Sequence, residues 1–320
     1  MQLSSQLKNV DNLDNCTYDR PPNITALFKD ITKKQVILLS VCGFLFIVTA
    51  VVFVLDSIFI RRRQSKFQRY FWHLLYIQGT YIIYSAVSMI SLISPTSSLL
   101  AELVFSIYIA FTLKELMSLI LRITKMELNS NDMPEESVSL AVTPIACCCC
   151  CICPNIKVNK KLLLFVKCGI YQATILRPLL TFVQAVLWTN GYFSTSAGFK
   201  LVELLNGFSV ITAMYFLALL YSSFQKLLSQ YQIQVRFVGI QLVMLIVSVQ
   251  QNLLGLLAQK NIIRCEDPFN SVVRATEFHH TLVVGEMLLI LLCSCLIQRR
   301  KNDVFLFTNE ERSPLLHEFS

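Results

Sequence analysis

Seven long apolar runs, separated by shorter polar segments, dominate the pattern of hydrophobic and polar positions along the chain. A helix needs about twenty apolar residues to cross roughly 30 Å of hydrocarbon, and each run is at least that long. Lipid offers no hydrogen-bond partners, so uninterrupted runs of this length predict helices rather than a barrel. The pattern predicts an all-α, polytopic membrane protein with spans at about 35–60, 71–93, 99–120, 162–188, 201–221, 235–258 and 278–297.

Basic residues in the polar segments predict how the spans are oriented. The first span ends in Arg61-Arg62-Arg63, and the segments expected on that side carry about sixteen Lys and Arg, against about four in the opposite loops. The five basic residues of the N-terminal tail are the counter-evidence. We expect an extracellular tail over 1–34, a cytosolic loop over 122–161 and a cytosolic tail over 299–320.

Composition agrees with a membrane protein and excludes several other classes. The chain is 54% hydrophobic and only 15% charged, and its net charge of +8 reflects the loop bias rather than a nucleic-acid surface. The polar N-terminal segment predicts no cleavable signal peptide. No nucleotide-binding loop, metalloprotease motif or serine-hydrolase motif is present, so we expect neither an enzyme nor a bound cofactor.

A run of cysteines in the predicted cytosolic loop is the most unusual motif. Neighbouring side chains cannot all reach one zinc tetrahedron, and a disulfide framework needs an oxidising compartment. Cysteines beside a membrane span are candidates for S-acylation, which would anchor the loop to membrane lipid, while an unmodified cysteine-rich turn is the remaining alternative. We predict acylation within the six cysteines of the run: Cys147, Cys148, Cys149, Cys150, Cys151 and Cys153.

The fourth span carries the clearest polar stripe. Thr174, Arg177, Thr181 and Gln184 recur at spacings of three and four, which places them on one helical face. A charge at this depth is costly and normally faces protein or water. Two interpretations stay open: Arg177 pairs with a carboxylate, or it lines a path for anions. The carboxylates proposed as partners are Glu203, Glu286 and Asp56.

The sixth and seventh spans contain further polar groups. Gln241 and Asn252 share one face of the sixth span, where polar residues commonly join helices. His279 and Glu286 lie two turns apart on the seventh and are candidates for a proton relay or for mutual hydrogen bonding. With the stripe of the fourth span, these residues form the candidate substrate path.

Two further modifications and a sorting signal are expected outside the spans. Asn15 and Asn23 begin glycosylation sequons in the N-terminal tail. Cys16 and Cys265 are the two cysteines that the predicted topology places outside the membrane, and we expect a disulfide between them. In the C-terminal tail, Glu311, Leu315 and Leu316 form an acidic dileucine pattern, which predicts sorting between the plasma membrane and endosomes.

Motifs in order along nearly the whole chain, from about Cys16 to Lys301, resemble the organic solute transporter alpha-subunit family. The cysteine run ending in Pro154 is the most distinctive, and Leu176-Arg177-Pro178 is closer to a related seven-span family. The other matching residues are Cys16 before Pro21-Pro22, Pro95 with Glu102, Ser106 and Tyr108, Lys161-Leu162 leading to Tyr171-Gln172, Arg236-Phe237 with Gln241, Cys265 before Pro268, and a histidine followed by Glu286 and Arg299-Arg300-Lys301.

The resemblance implies a function and partners. Members of that family carry bile acids and steroid conjugates down their gradient, together with a single-span beta subunit and without ATP. We therefore expect facilitated transport of amphipathic organic anions at the plasma membrane, in a heteromer or with further copies of the chain. The alternatives are a trafficking or scaffolding protein without transport activity and a seven-helix receptor. The interpretation as a receptor is not supported, because no Asp-Arg-Tyr motif follows the third span.

Overall fold

The structure of the protein is a computed structural model. It describes residues 33–62, 70–127, 137–139, 155–157, 160–190, 197–225, 228, 233–260, 262–264 and 271–312. The predicted sites at Asn15, Asn23, Cys16, Cys265, Leu315, Leu316 and the cysteine run lie outside these residues. Glu311 lies in the last turn of the final helix.

Seven helices in the described part of the chain are long and apolar enough to cross a membrane, which confirms the predicted class. A 3-10 turn, Pro95–Ser97, links the second helix to the third. The helices are α1 Lys33–Arg62, α2 Phe71–Ile93, α3 Ser98–Glu127, α4 Lys160–Thr189, α5 Ala197–Ser223, α6 Ile233–Gln259 and α7 Ser271–Arg312.

Several helices run past the ends expected from hydropathy. The largest difference is in α7, which was expected over 278–297 and extends from Ser271 to Arg312. Hydropathy marks only the part of a helix that suits hydrocarbon, whereas backbone hydrogen bonding continues through polar residues at each end.

The predicted loop between α3 and α4 contains a short antiparallel pairing. Strand β1, Ser137–Ser139, pairs with β2, Asn155–Lys157, with Val138 opposite Ile156. The sequence pattern did not predict these strands. The two strands flank the cysteine run in the sequence, so the run belongs to the connection between them.

Contacts between side chains show that α2 and α3 are antiparallel, as are α5 and α6. His73 and Tyr84 of α2 contact Glu115 and Phe105 of α3 respectively, so residue numbers rise on one helix as they fall on the other. Helix α7 runs alongside α1 in the same direction, since Thr281 contacts Cys42 and Arg299 lies over the ring of Phe59 at 5.4 Å. One end of the bundle, called the basic end, carries Arg61, Arg62, Lys125, Lys161, Arg299 and Arg300.

Helix α2 lies at the centre of the bundle, between α1, α3 and α7. Its buried residues include Gln78, Tyr81, Tyr84 and Ser88, so polar groups are enclosed by protein on this helix. Helix α1 differs, because few of its apolar side chains are buried and many face the surface that lipid would cover. A polar face can be buried on α2 because neighbouring helices supply partners.

Glycine permits the closest helix contacts on α2. A side chain at Gly239 of α6 would collide with the Tyr81 hydroxyl, and one at Gly79 would collide with the Tyr108 hydroxyl. Small residues allow membrane helices to approach this closely. The glycines therefore set the spacing of α6 against α2 and of α2 against α3.

Candidate functional site

Arg177 is a buried charge in the middle of α4. Its side chain is 7% exposed, and its guanidinium carbon lies 5.9 Å from the centre of the Phe105 ring. Among the described residues, neither Nε nor Nη1 has a hydrogen-bond partner. An arginine cannot lose its proton in a protein, so the site needs an acceptor to offset the desolvation.

The sequence of α4 explains how this arginine is presented to the bundle. Arg177, Thr181 and Gln184 face inward, while Ile175 and Leu179, on another face of the same helix, are exposed. Thr181 donates from Oγ1 to the Arg177 carbonyl at 2.9 Å. This bond uses the hydroxyl proton within the helix, and the hydroxyl accepts no hydrogen bond from Nε or Nη1 of Arg177.

An aromatic pair supports the guanidinium from the side of α2 and α3. The rings of Tyr84 and Phe105 are stacked with their centres 3.7 Å apart. The Tyr84 hydroxyl lies 3.4 Å from Nε2 of His279, and His280 Nδ1 lies 3.3 Å from the Ser88 hydroxyl. Aromatic packing and two long hydrogen bonds therefore join three helices, α2, α3 and α7, beside the guanidinium.

Two glutamates complete the site, and each accepts a hydrogen bond from a glutamine of α6. Gln251 donates to Glu102 of α3 at 3.0 Å, and Gln250 donates to Glu286 of α7 at 3.2 Å. Glu102, Arg177 and Glu286 all lie within electrostatic range of the Tyr84 hydroxyl. We call the residues Tyr84, Glu102, Arg177, Gln250, Gln251 and Glu286 the polar cluster.

The polar cluster reaches the exposed surface of the bundle on α6, at Gln251. Gln251 and Asn252 are exposed although they lie within a membrane span. A side chain at Gly207 of α5 or at Gly255 of α6 would meet no described atom within 4 Å. Nearer the basic end the same helices touch, with Tyr221 stacked on Phe237 at 4.4 Å.

A second group of buried polar residues lies nearer the basic end. Arg236 of α6 donates from Nη1 to the Leu74 carbonyl at 3.2 Å and from Nη2 to Oε1 of Gln298 at 3.1 Å. Gln298 in turn donates to the Ser294 hydroxyl at 3.2 Å. We call this the Arg236 network, and it joins α2, α6 and α7.

The structure changes the proposed partners of Arg177. No carboxylate lies within ion-pair distance of it among the described residues, and the carboxyl group that acts on it electrostatically is Glu102. Glu203 acts on Glu102 rather than directly on Arg177. Asp56 is buried on α1, close to Cys295.

The other predicted path residues separate into two groups. His279 contacts Tyr84, and Glu286 contacts Gln250, so the structure does not bring these two residues together as a relay. Gln241 donates to the Met214 carbonyl of α5 at 3.0 Å, which joins two helices. Thr174 and Asn252 donate to carbonyls of their own helices.

Sequence reasoning missed Tyr84 and Phe105. Aromatic residues are common in any apolar span, so neither stands out by itself. A signal was present on α2, where Gln78, Tyr81, Ser85 and Ser88 repeat at three and four residues and indicate an inward polar face. Within the described part of the chain, no group of three or more His, Cys, Asp or Glu residues is placed to hold a metal ion.

A polar cluster held among membrane-spanning helices is the arrangement expected of a protein that handles solutes at membrane depth. A family model described as Organic solute transporter Ostalpha matches residues 38–297. The chain belongs to this family, whose members are solute transporters and not enzymes.

Two subunit-alpha relatives align with the chain over most of their length, and a third relative aligns over a short stretch. The chain is 24% identical to an organic solute transporter subunit alpha of Danio rerio over 295 residues, which cover 90% of this chain and 89% of that protein. It is 22% identical to the Bos taurus subunit alpha over 303 residues, covering 93% and 88%. It is also 35% identical over 77 residues to a transmembrane protein 184 homolog of Dictyostelium discoideum, covering 22% and 15%. No solved structure matches the chain.

Proposed function

We propose that this chain carries amphipathic organic anions, similar to bile acids or steroid conjugates, across the plasma membrane by facilitated diffusion. The observation that carries the proposal is the Arg177 guanidinium, which is buried and has two nitrogens without hydrogen-bond partners among the described residues. A carboxylate, sulfate or phosphate of a substrate would supply the missing acceptors.

The surroundings of Arg177 suit an amphipathic substrate. The Tyr84–Phe105 pair provides an apolar aromatic surface beside the charge. The exposed face of α6 beside Gln251 would allow the apolar body of a substrate to remain in contact with the bilayer while its charged group reaches Arg177. Binding at membrane depth would let the substrate follow its own gradient without ATP.

The assembly and orientation of the carrier are part of the same proposal. The chain acts as the alpha subunit of a heteromer with a single-span beta subunit, and the basic end faces the cytosol. With this orientation Asn15 and Asn23 are outside and available for glycosylation, and Cys16 can pair with Cys265 in an oxidising compartment. The cysteine run faces the inner leaflet, where acylation would anchor the loop.

Flux measurements on variants of Arg177 test the proposal. The chain is expressed with a beta subunit, and uptake of a sulfated steroid is compared with the amount of chain at the surface, measured by biotinylation. Arg177→Gln should reach the surface and lose flux by about tenfold or more, since a buried charged contact contributes about 2–5 kcal/mol. Arg177→Lys keeps the charge without the planar fork and should retain part of the flux.

The same assay separates transport from the alternatives. Normal flux per surface molecule in Arg177→Gln would refute the substrate role of this residue. If the wild-type chain with its beta subunit gives no flux above that of untransfected cells, the scaffolding alternative replaces transport. Enzymatic removal of N-glycans from wild type, Asn15→Gln and Asn23→Gln tests the orientation, because only an outside tail would be glycosylated.

A further inference from the structure

The polar cluster contains unmatched groups of two opposite kinds. Arg177 offers donors at Nε and Nη1 that have no acceptor among the described residues. Oε2 of Glu286 and Oε1 of Gln250 are buried acceptors that have no donor among the same residues. A buried polar atom without a partner is costly, so the native use of the site should satisfy both kinds.

A purely anionic ligand would satisfy only one kind. Its oxygens accept from Arg177, but they cannot donate to Glu286 or Gln250. Its negative charge would also be added close to Glu102, the carboxyl group that already acts on Arg177. In a site of low dielectric this repulsion is strong, because charge interactions there are poorly screened.

The internal hydrogen bonds show which atoms remain for the ligand. Gln250 uses Nε2 to reach Oε1 of Glu286, which leaves Oε1 of the glutamine and Oε2 of the glutamate. Both remaining atoms are acceptors. A group that carries several N–H donors and a positive charge is the chemical complement of this pair.

Resting on the proposed function, we propose that the preferred ligand of the polar cluster is a zwitterionic amphipath. Its anionic group binds Arg177, and an ammonium group that bears N–H donors binds Glu286 and Gln250. Its apolar chain leaves along the exposed face of α6, beside Gln251 and Asn252. A phosphoethanolamine head group on a single acyl chain has this chemistry.

Three single-chain phospholipids with the same acyl chain separate the contributions of charge and hydrogen bonding. The ethanolamine head group has a cation with N–H donors, the choline head group has a cation without them, and the glycerol head group has hydroxyl donors without a cation. Binding of each to the purified full-length chain is measured by native mass spectrometry. Thermal stabilisation in the presence of increasing ligand gives a second measure of affinity.

The wild-type chain should bind the ethanolamine lipid at least tenfold more tightly than the glycerol lipid, with the choline lipid between them. Glu286→Gln should weaken binding of the ethanolamine lipid selectively and bring the ratio of the ethanolamine to the glycerol affinity close to one. Arg177→Gln should weaken all three. Glu115→Gln is the matched control, because this carboxyl group contacts His73 of α2 away from the polar cluster, and it should leave the ratio unchanged.

The outcomes separate this inference from the proposed function. Equal binding of the glycerol and ethanolamine lipids to wild type, with loss of both in Arg177→Gln, would contradict the preference for a zwitterionic ligand. The proposed transport of organic anions would still stand. An equal effect of Glu286→Gln on all three lipids would also contradict that preference. If Glu286→Gln does not fold, Gln250→Leu removes the second acceptor and should reduce the same ratio.

Discussion

Arg177 and Arg236 are two buried arginines of one bundle, and they differ in what surrounds them. Their exposed fractions are nearly equal, at 7% and 6%. Arg236 donates to a backbone carbonyl of α2 and to the side chain of Gln298 on α7. Arg177 has a ring beside it and, among the described residues, no acceptor at Nε or Nη1.

The difference in hydrogen-bond acceptors indicates different roles for the two arginines. A buried charge with well-placed acceptors joins helices, and removing it leaves other buried groups unpaired. A buried charge without acceptors weakens the fold unless a ligand completes it. We therefore infer that Arg236 stabilises the bundle near the basic end, whereas Arg177 is kept for binding.

The strongest test exchanges the two arginines for glutamine and measures stability in detergent. Arg236→Gln should lower the free energy of unfolding by about 2–3 kcal/mol, because two charge-assisted hydrogen bonds are lost. Arg177→Gln should leave the melting temperature equal or higher. Equal losses in both variants would contradict the division of roles.

A glycine substitution near the Arg236 network perturbs the packing of α6 against α2 without changing charge. Gly239→Ala places a methyl group against the Tyr81 hydroxyl and should cost about 1–3 kcal/mol through overpacking. Gly255→Ala faces open space on the same helix and serves as the control. Thermal denaturation monitored by size-exclusion chromatography would measure both, and a loss in Gly255→Ala would show that α6 is closed at the polar cluster.

Removal of one hydroxyl tests what the Tyr84–Phe105 pair contributes to stability and to flux. Tyr84→Phe keeps the stacking on Phe105 and deletes the contact with His279. The expected cost in stability is about 1 kcal/mol, the usual contribution of one hydrogen bond. Flux at saturating substrate should change by less than in Arg177→Gln, and a larger loss would assign the hydroxyl a direct contact with substrate.

The smallest effect is expected at Asn252. This exposed side chain donates to the carbonyl of Ser248 in its own helix, so Asn252→Ala should change stability by about 0.5 kcal/mol or less. Flux and surface level should both stay near wild type. A clear loss of flux with normal surface level would extend the substrate path to the exposed face of α6.

The sequence by itself determined the class of the protein and the position of its main charge. Seven apolar runs of sufficient length leave helices as the way to satisfy the backbone in lipid, so the number of spans follows from composition along the chain. The spacing of Arg177, Thr181 and Gln184 likewise predicts one inward face, because helical periodicity is local.

Only the tertiary structure decided which groups meet. Glu102 lies 75 positions from Arg177 in the numbering, and Tyr84 is still farther away, so no local pattern joins them. His279 and Glu286 share a helical face, yet each takes its partner from a different neighbouring helix, α2 for the histidine and α6 for the glutamate. The physical reason is that a span's periodicity specifies the direction of a side chain, whereas its partner depends on which helix packs against that face and at what depth.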